Sequence, residues 1–347
     1  MRRALAAALA LAAAGCTLAP RYQRPEAPVP GAFPAAGEPP AGGGAAAADL
    51  GWRDVFGDAR LQALVALALE RNRDLRVAAL NVELVRAQHR IQRAPLLPQL
   101  AATAGGTVQR TPGDLNGAGR SLTTEAWTVG GAVATFELDL FGRVRSLSDA
   151  ALQQFLASEE ARRAAQLSLV AAVATQHLAG QAAEAQVALA EETLAAVEAS
   201  LRLTRRQAEV GRVSELDLRT AEAQVETARV NLAAAGQQRA RAASALALLV
   251  GGPVPADLPP GLPLEGGHLV AELPAGVPSE VLTRRPDVLA AEHALRAANA
   301  AVGAARAASF PSITLTAAGG TSSASLDGLF AADRKSTRLN SSHIAVS

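Results

Sequence analysis

The chain has few of the residues that mark a disulfide-rich, zinc-binding or nucleic-acid-binding protein. One cysteine in 347 residues excludes an intramolecular disulfide and a cysteine-rich zinc site. Aromatic residues make up only 3%, so stacking platforms for single-stranded nucleic acid are not expected. The 33 basic and 32 acidic residues give a formal net charge of +1, far from the clustered basic excess that nucleic acid requires. We therefore expect no nucleic acid among its partners.

Motifs for catalysis and for metal binding are also lacking. There is no Gly-x-Ser-x-Gly element, and Glu292 and His293 are adjacent, which places them on different faces of a helix and favours a solvated pair. The sequence therefore predicts no enzyme, no metal site and no cofactor. No metal-ligand spacing connects the histidines, which are His89, His177, His268, His293 and His343.

The N-terminus has the proportions of a secretory signal. A short basic head precedes an apolar run from Ala4 to Ala14, too short to span a membrane, where about 20 apolar residues are needed. The run ends in Ala13-Ala14-Gly15-Cys16, which resembles a bacterial lipobox, although Ala13 stands where leucine is usual. We predict a signal peptide over residues 1–15 and a covalent lipid on Cys16. The alternative is an ordinary signal peptide followed by an unpaired cysteine.

Residues 16–50 are rich in proline, glycine and alanine and show little periodicity. Repeated prolines exclude a helix, and the Gly/Ala run near its end is flexible. This composition predicts an extended tether between the lipid and the folded body.

The first part of the body alternates helices with strands. Residues 51–97 show apolar residues at helical spacing, and Pro95 and Pro98 end the pattern. Residues 98–140 then show two stretches of period-two alternation around a loop with glycine turn signals, which predicts a β-hairpin. Strands of this length are typical of a membrane hairpin, but a soluble hairpin explains the pattern equally well.

Residues 141–250 predict a long antiparallel helical hairpin. No proline occurs between Arg143 and Glu209, and the later stretch repeats apolar residues at alternating spacings of three and four, as coiled-coil packing requires. A turn around Gly211 separates the two helices, and Ser214 is a suitable N-cap for the second, with Asp217 three residues later.

The beginning of the body then recurs. After a Pro/Gly-rich connector over residues 251–276, residues 277–330 repeat the first helix and strand at a shift of 213 positions. The pairs that carry this alignment are Leu69 with Leu282, Arg71 with Arg284, Asp74 with Asp287, Ala87 with Ala300, Arg93 with Arg306 and Pro98 with Pro311. The chain therefore contains an internal duplication whose second repeat is incomplete.

Two motifs resemble the TolC-like outer-membrane factors of tripartite efflux systems, in the lipoprotein branch of NodT or OprM type. They are the junction Phe136-Glu137-Leu138-Asp139-Leu140-Phe141-Gly142-Arg143 and the segment Arg284-Arg285-Pro286-Asp287. The resemblance covers about residues 16–330. It implies a mainly α fold with a minor membrane β part: a helical-barrel segment plus a β-hairpin of a trimeric outer-membrane barrel.

The resemblance also implies function, partners and a site. The chain would be the outer-membrane channel of an efflux pump, a passive conduit for drugs or small toxic molecules, lipid-anchored in the outer membrane and extending into the periplasm. Its partners would be a periplasmic adaptor and an inner-membrane pump, and Arg205 and Arg206 could add charge pairing beside the tip. The turn of the helical hairpin would meet the adaptor through Gly211, Arg212, Val213, Ser214, Glu215 and Asp217. From the residues alone, this segment is a capped turn.

A different class of protein remains open: a lipid-anchored periplasmic coiled-coil scaffold without a pore. This interpretation explains Cys16 and the heptad pattern. It leaves the duplicated segments of helix, proline and strand unexplained.

The last residues differ from the rest of the chain. Residues 331–347 contain the only lysine, Lys335, and have no helical period, a composition typical of a frame break or a sequencing artefact. We predict a disordered tail that does not belong to the family, a chain that is a fragment lacking its fourth strand, and no conducting trimer from these residues alone.

Overall fold

The computed structural model describes residues 17–26, 50–117, 119–267, 280–330 and, by its backbone, 335–341. The predicted signal peptide and Cys16 lie outside these residues, as do parts of the predicted tether, connector and tail. The chain divides into two compact units. The first comprises residues 1–25, 82–158 and 290–347, and the second comprises residues 26–81 and 159–289.

The helices are α1 (Trp52–Val55), α2 (Ala59–Arg71), α3 (Arg73–Arg93), α4 (Arg143–Glu209), α5 (Glu215–Val250), α6 (Glu280–Arg284) and α7 (Pro286–Ala307). The strands are β1 (Leu100–Thr111), β2 (Leu122–Leu138), β3 (Ile313–Ser323) and β4 (Lys335–Ser341). Short 3-10 turns occupy Ala94–Leu96 and Asp327–Phe330. The predicted fold class, mainly α with a long helical hairpin and a β part, is confirmed.

The core of the second unit forms where α2 packs against α4 and α5. Leu61, Leu64 and Val65 of α2 are completely buried, together with Val173 of α4 and Val250 of α5. Each such side chain contributes about 1.5–3 kcal/mol on burial. The amphipathic spacing that predicted α2 is therefore the spacing of its core face.

Asn72 separates α2 from α3 and ties both to the end of α5. Its side-chain oxygen accepts from the amide of Leu75 at 2.8 Å, and its side-chain nitrogen donates to the carbonyl of Leu249 at 2.9 Å. Close by, Gly251 ends α5 with φ +86°, and a Cβ there would lie 2.4 Å from the carbonyl oxygen of Arg71. Only glycine fits this position, both in conformation and in space.

The sheet has the strand order β1-β2-β3-β4, with each neighbouring pair antiparallel. Leu100 pairs with Val133 at one end of β1 and Thr111 with Leu122 at the other. A register shift between Val133 and Phe136 interrupts the pairing of β2 with β3. A β-bulge of this kind bends the strand and increases its twist.

Strand β4 differs from the disordered tail that the sequence predicts. Residues 335–341 pair along the outer edge of β3, with Thr321 opposite Lys335 and Leu315 opposite Ser341. The physical reason is that an edge strand presents unpaired N–H and C=O groups, which any extended backbone can satisfy whatever its side chains. Residues 331–334 and 342–347 lie outside the described part of the chain.

Part of the predicted tether belongs to the folded body. Residues 17–26 are extended, as their prolines predict, but residues 18–24 lie against α7 within the first unit. The composition could not show this, because the partners of these residues are side chains of α7, about 270 positions further along the chain.

Candidate functional site

The candidate site is the turn that connects α4 with α5. Gly211 has φ +65°, a conformation that other residues rarely adopt. Its amide donates to the carbonyl of Ala208 at 2.9 Å, and the amide of Arg212 donates to the carbonyl of Gln207 at 2.8 Å. These bonds satisfy carbonyls that the end of a helix would otherwise leave unpaired, so α4 ends in an ordered turn.

The second helix begins with a complete capping box. The Ser214 hydroxyl accepts from the amide of Asp217 at 3.2 Å, and the Asp217 carboxylate accepts from the amide of Ser214 at 3.1 Å. The hydroxyl also donates to the same carboxylate at 2.7 Å. Hydrogen bonds from the side chain and then the amide of Ser214 hold the pKa of Asp217 below its ordinary value. Three of the six predicted contact residues, Gly211, Ser214 and Asp217, therefore shape the turn.

The remaining predicted residues supply its surface. Arg212 and Glu215 are exposed, like Gly211, and Val213 is half-buried. The sequence prediction missed two neighbours: Val210 is 70% exposed and Leu216 is 75% exposed. The sequence did indicate their exposure, because both are apolar residues that lie beside a glycine turn and outside the heptad pattern.

Charged side chains pair along the flank of the hairpin. Arg205 of α4 donates to Glu222 of α5 at 3.1 Å, and Arg219 donates to the same carboxylate at 2.9 Å. These hydrogen bonds, that from Arg205 first, lower the pKa of Glu222. Further along, Arg229 bonds to Glu198 of α4 at 3.1 Å. Arg205, predicted to add charge pairing beside the tip, therefore pairs within the hairpin itself.

A groove of about 860 Å³ runs between the two helices. Alanines allow the backbones to approach, while glutamine, threonine and asparagine side chains make part of the groove polar. Its lining includes Ala183, Gln186, Thr193, Thr220, Gln224, Thr227, Ala228, Asn231, Ala235 and Gln238. The surface between the helices is thus a shallow groove of mixed polar and apolar character, which Leu189 and Val197 also line, and its lining residues form no catalytic arrangement.

A buried polar pair lies at the other end of the hairpin. Asp58 caps α2 by accepting from the amide of Arg60 at 2.8 Å, and its other oxygen lies 3.1 Å from Nε2 of His177. Both residues are buried. Burial alone would raise the pKa of Asp58, but hydrogen bonds from Arg60, His177 and Leu61 outweigh it and hold that pKa below its ordinary value. The pair ties α4 to the start of α2.

Across the described part of the chain, no helix is both long and apolar enough to cross a bilayer. The same residues contain no group of three or more His, Cys, Asp or Glu side chains that could hold a metal ion.

The chain thus contains a long capped helical hairpin and an antiparallel sheet of long strands. A profile described as "Outer membrane efflux protein" matches residues 64–252 and 277–345. The chain therefore belongs to the outer membrane efflux protein family.

Individual relatives agree with this assignment. The toluene efflux pump outer membrane protein TtgC of Pseudomonas putida is 48% identical over 319 residues, which cover 91% of this chain and 66% of TtgC. The chain thus spans just under two thirds of the length of this relative. A membrane protein from Pseudomonas aeruginosa matches with a TM-score of 0.82 and 43% identity, covering 96% of this chain and 74% of its own. The open MtrE outer membrane channel of Neisseria gonorrhoeae matches with a TM-score of 0.79 and 43% identity. The match covers 94% of this chain and 72% of MtrE.

Proposed function

We propose that the chain is the outer-membrane channel component of a tripartite efflux pump, a passive conduit for drugs or small toxic molecules. In the intact protein, three such subunits would form a homotrimer that works with a periplasmic adaptor and an inner-membrane pump. The observation that carries the proposal is the family match together with 48% identity to TtgC, which is named as part of a toluene efflux pump. By the same reasoning, small apolar compounds are the substrate class to test first.

The sheet supports a channel wall, because its two faces differ in character. On one face of β1 lie Leu100, Ala102, Ala104 and Val108, opposite Val133, Gly131, Val129 and Glu125 of β2, and the charged side chains on this face, Glu125 and Arg110, are confined to the end of the hairpin near its loop. The other face presents Thr103, Thr107, Gln109 and Thr111. Strands that alternate apolar and polar residues in this way are typical of a barrel with lipid outside and water inside. The sheet is thus suited to one segment of such a barrel.

The hairpin tip supports the adaptor contact. Its backbone is fixed by the Gly211 turn and by the capping box of Ser214 and Asp217, so its surface is preorganised. Arg212, Val213 and Glu215 then form the contact surface, with Val210 and Leu216 as apolar anchors. An exposed apolar group rimmed by charges is typical of a protein interface.

Photocrosslinking tests the tip. The chain, with a photoreactive residue at Val210, is expressed with the adaptor of a toluene efflux pump. We expect the double variant Val213→Glu, Leu216→Glu to lose the crosslink while circular dichroism stays unchanged, because the Ser214 cap is intact. The matched control is Val230→Glu, an exposed valine further along α5. An undiminished crosslink in the double variant, or equal loss in the control, excludes the tip as the contact.

Fractionation tests the channel against the scaffold. We propose that Cys16 carries the lipid, so Cys16→Ala removes the anchor. A channel with a membrane sheet stays in the outer-membrane fraction and resists extraction at alkaline pH. Release of Cys16→Ala into the soluble fraction would support the scaffold.

A further inference from the structure

Residues 18–24 form an extended strap along α7. The Asn299 side chain donates to the carbonyl of Pro20 at 2.7 Å, and the Arg306 guanidinium donates to the carbonyl of Leu18 at 3.5 Å. Both donors belong to α7 and both acceptors to the strap backbone. The helix therefore provides groups that bind an extended chain irrespective of its side chains.

The strap approaches α7 most closely at Gly303. A Cβ at this position would lie 2.6 Å from both the Cα and the Cβ of Ala19. Real side chains never reach such distances, so any other residue would push the strap away. The neighbouring alanines Ala300, Ala304 and Ala307 are buried as well. Small residues on this face of α7 thus leave the space that the strap occupies.

A charged clamp closes the other end of the strap. Glu292 accepts from the Tyr22 hydroxyl at 3.3 Å, from Nε of Arg24 at 3.1 Å and from Arg296 at 2.6 Å. The Arg296 guanidinium lies 4.9 Å from the centre of the Tyr22 ring. Because charge-assisted bonds and a cation–π contact converge here, this end is held by side chains.

The sister helix of the duplication lacks these features. At the shift of 213 positions that aligns the repeats, α3 carries Ala79 in place of Glu292, Arg86 in place of Asn299 and Arg90 in place of Gly303. Ala79 cannot accept the clamp bonds, and Arg90 would fill the space that the strap needs. The two helices share a sequence pattern, but α3 lacks the groups with which α7 holds the strap.

We propose that residues 18–24 are a recognition segment for the second-repeat helix, selected by Glu292, Asn299 and Gly303, which attaches the N-terminal end of each subunit at α7. The strap runs antiparallel to α7, so Thr17, the residue after Cys16, is fixed near Arg306, where the chain leads into β3. This attachment is independent of whether the chain conducts.

The test uses trypsin cleavage after Arg21 on the full chain in detergent. We expect Gly303→Arg, which installs the sister residue, to speed cleavage about tenfold or more, because proteolysis follows the population of the open form. The control Ala301→Arg, an exposed position on the same helix, leaves the rate unchanged. Ala19→Leu produces the same clash with Gly303 but leaves the sequence of α7 unchanged. Faster cleavage in this variant therefore cannot result from misfolding of α7. Wild-type protection in both Gly303→Arg and Ala19→Leu would overturn the proposal.

A photoreactive residue at the exposed Gln23 distinguishes the two helices. We expect mass spectrometry to find crosslinks to the α7 peptides in the wild type and their loss in Gly303→Arg. Crosslinks to α3 peptides in the wild type would show that the strap does not discriminate between the repeats, and the proposal would fall.

Discussion

The two ends of the α4–α5 hairpin are made of the same residue types and differ in what surrounds them. At one end, Val173 and Val250 are completely buried against α2. At the turn, Val210 and Leu216 are 70% and 75% exposed. The hairpin therefore has a packed base and an exposed tip, although the composition of the two ends does not distinguish them.

This difference teaches where stability and recognition reside. Substitutions at the base remove buried contacts and should lower the free energy of unfolding, whatever the chain binds. Substitutions of the exposed tip side chains that make no hydrogen bond, such as Val210 and Leu216, should leave that free energy nearly unchanged and affect only contact with a partner.

The largest effect is expected at the base. Leu64→Ala removes a completely buried side chain and should lower the free energy of unfolding by about 3 kcal/mol, the sum of lost burial and a residual cavity. Urea titration followed by far-UV circular dichroism measures it. Leu248→Ala, at a leucine 78% exposed, is the matched control and should unfold like the wild type. Equal midpoints for the two variants would contradict a packed base.

The buried polar pair should give the next effect. Asp58→Ala removes the cap of α2 and a partner of His177, and we expect a loss of about 2 kcal/mol, as for a missing cap together with a lost buried hydrogen bond. The same titration at neutral pH measures it. A loss below the error of the measurement would show that the pair does not hold the base.

The same residue predicts a pH dependence. The pKa of Asp58 is lowered from its ordinary value of 3.8, so its contribution is complete above about pH 3.8 and is lost as the pH falls through the lower folded-state value. Asp58→Asn cannot ionise, so its free energy of unfolding should fall less than that of the wild type as the pH is lowered below about 3.8. Parallel pH curves for the two proteins would contradict this assignment.

Much of this arrangement could be predicted from the sequence. Heptad spacing specified the hairpin, and Ser214 with Asp217 specified its turn, because such patterns act within a few residues of the chain. The sequence could not show that Asp58 meets His177, since 119 positions separate them and neither lies in a motif. The strap on α7 was missed for a related reason: its binding groups are scattered over a helix 268–288 positions away.

At the tip, the cap should have a smaller and more local effect. Ser214→Ala removes the acceptor for the Asp217 amide and should cost about 1 kcal/mol, felt in the first turn of α5. Amide hydrogen exchange should speed up over residues 215–218 and stay unchanged near Val250. Ser214→Thr keeps a hydroxyl acceptor and is the control. Faster exchange throughout the hairpin would mean that tip and base unfold together.

The smallest effect is expected for the ion pairs on the flank. Arg205→Ala breaks the bond to Glu222, but both side chains are partly in water, where Coulomb attraction is screened and ordering two long side chains costs entropy. The free energy of unfolding should therefore stay within the error of the titration, at low and at moderate salt alike. Glu222 keeps Arg219 as a second partner, so its charge is not left isolated. A double cycle with Glu222→Ala isolates the pair from effects of either residue alone. If Arg205→Ala destabilised the chain as much as Asp58→Ala, the stability of the chain would depend on contacts at the tip as well as at the base. Loss of adaptor crosslinking in a tip variant could then result from unfolding and not only from loss of the contact surface.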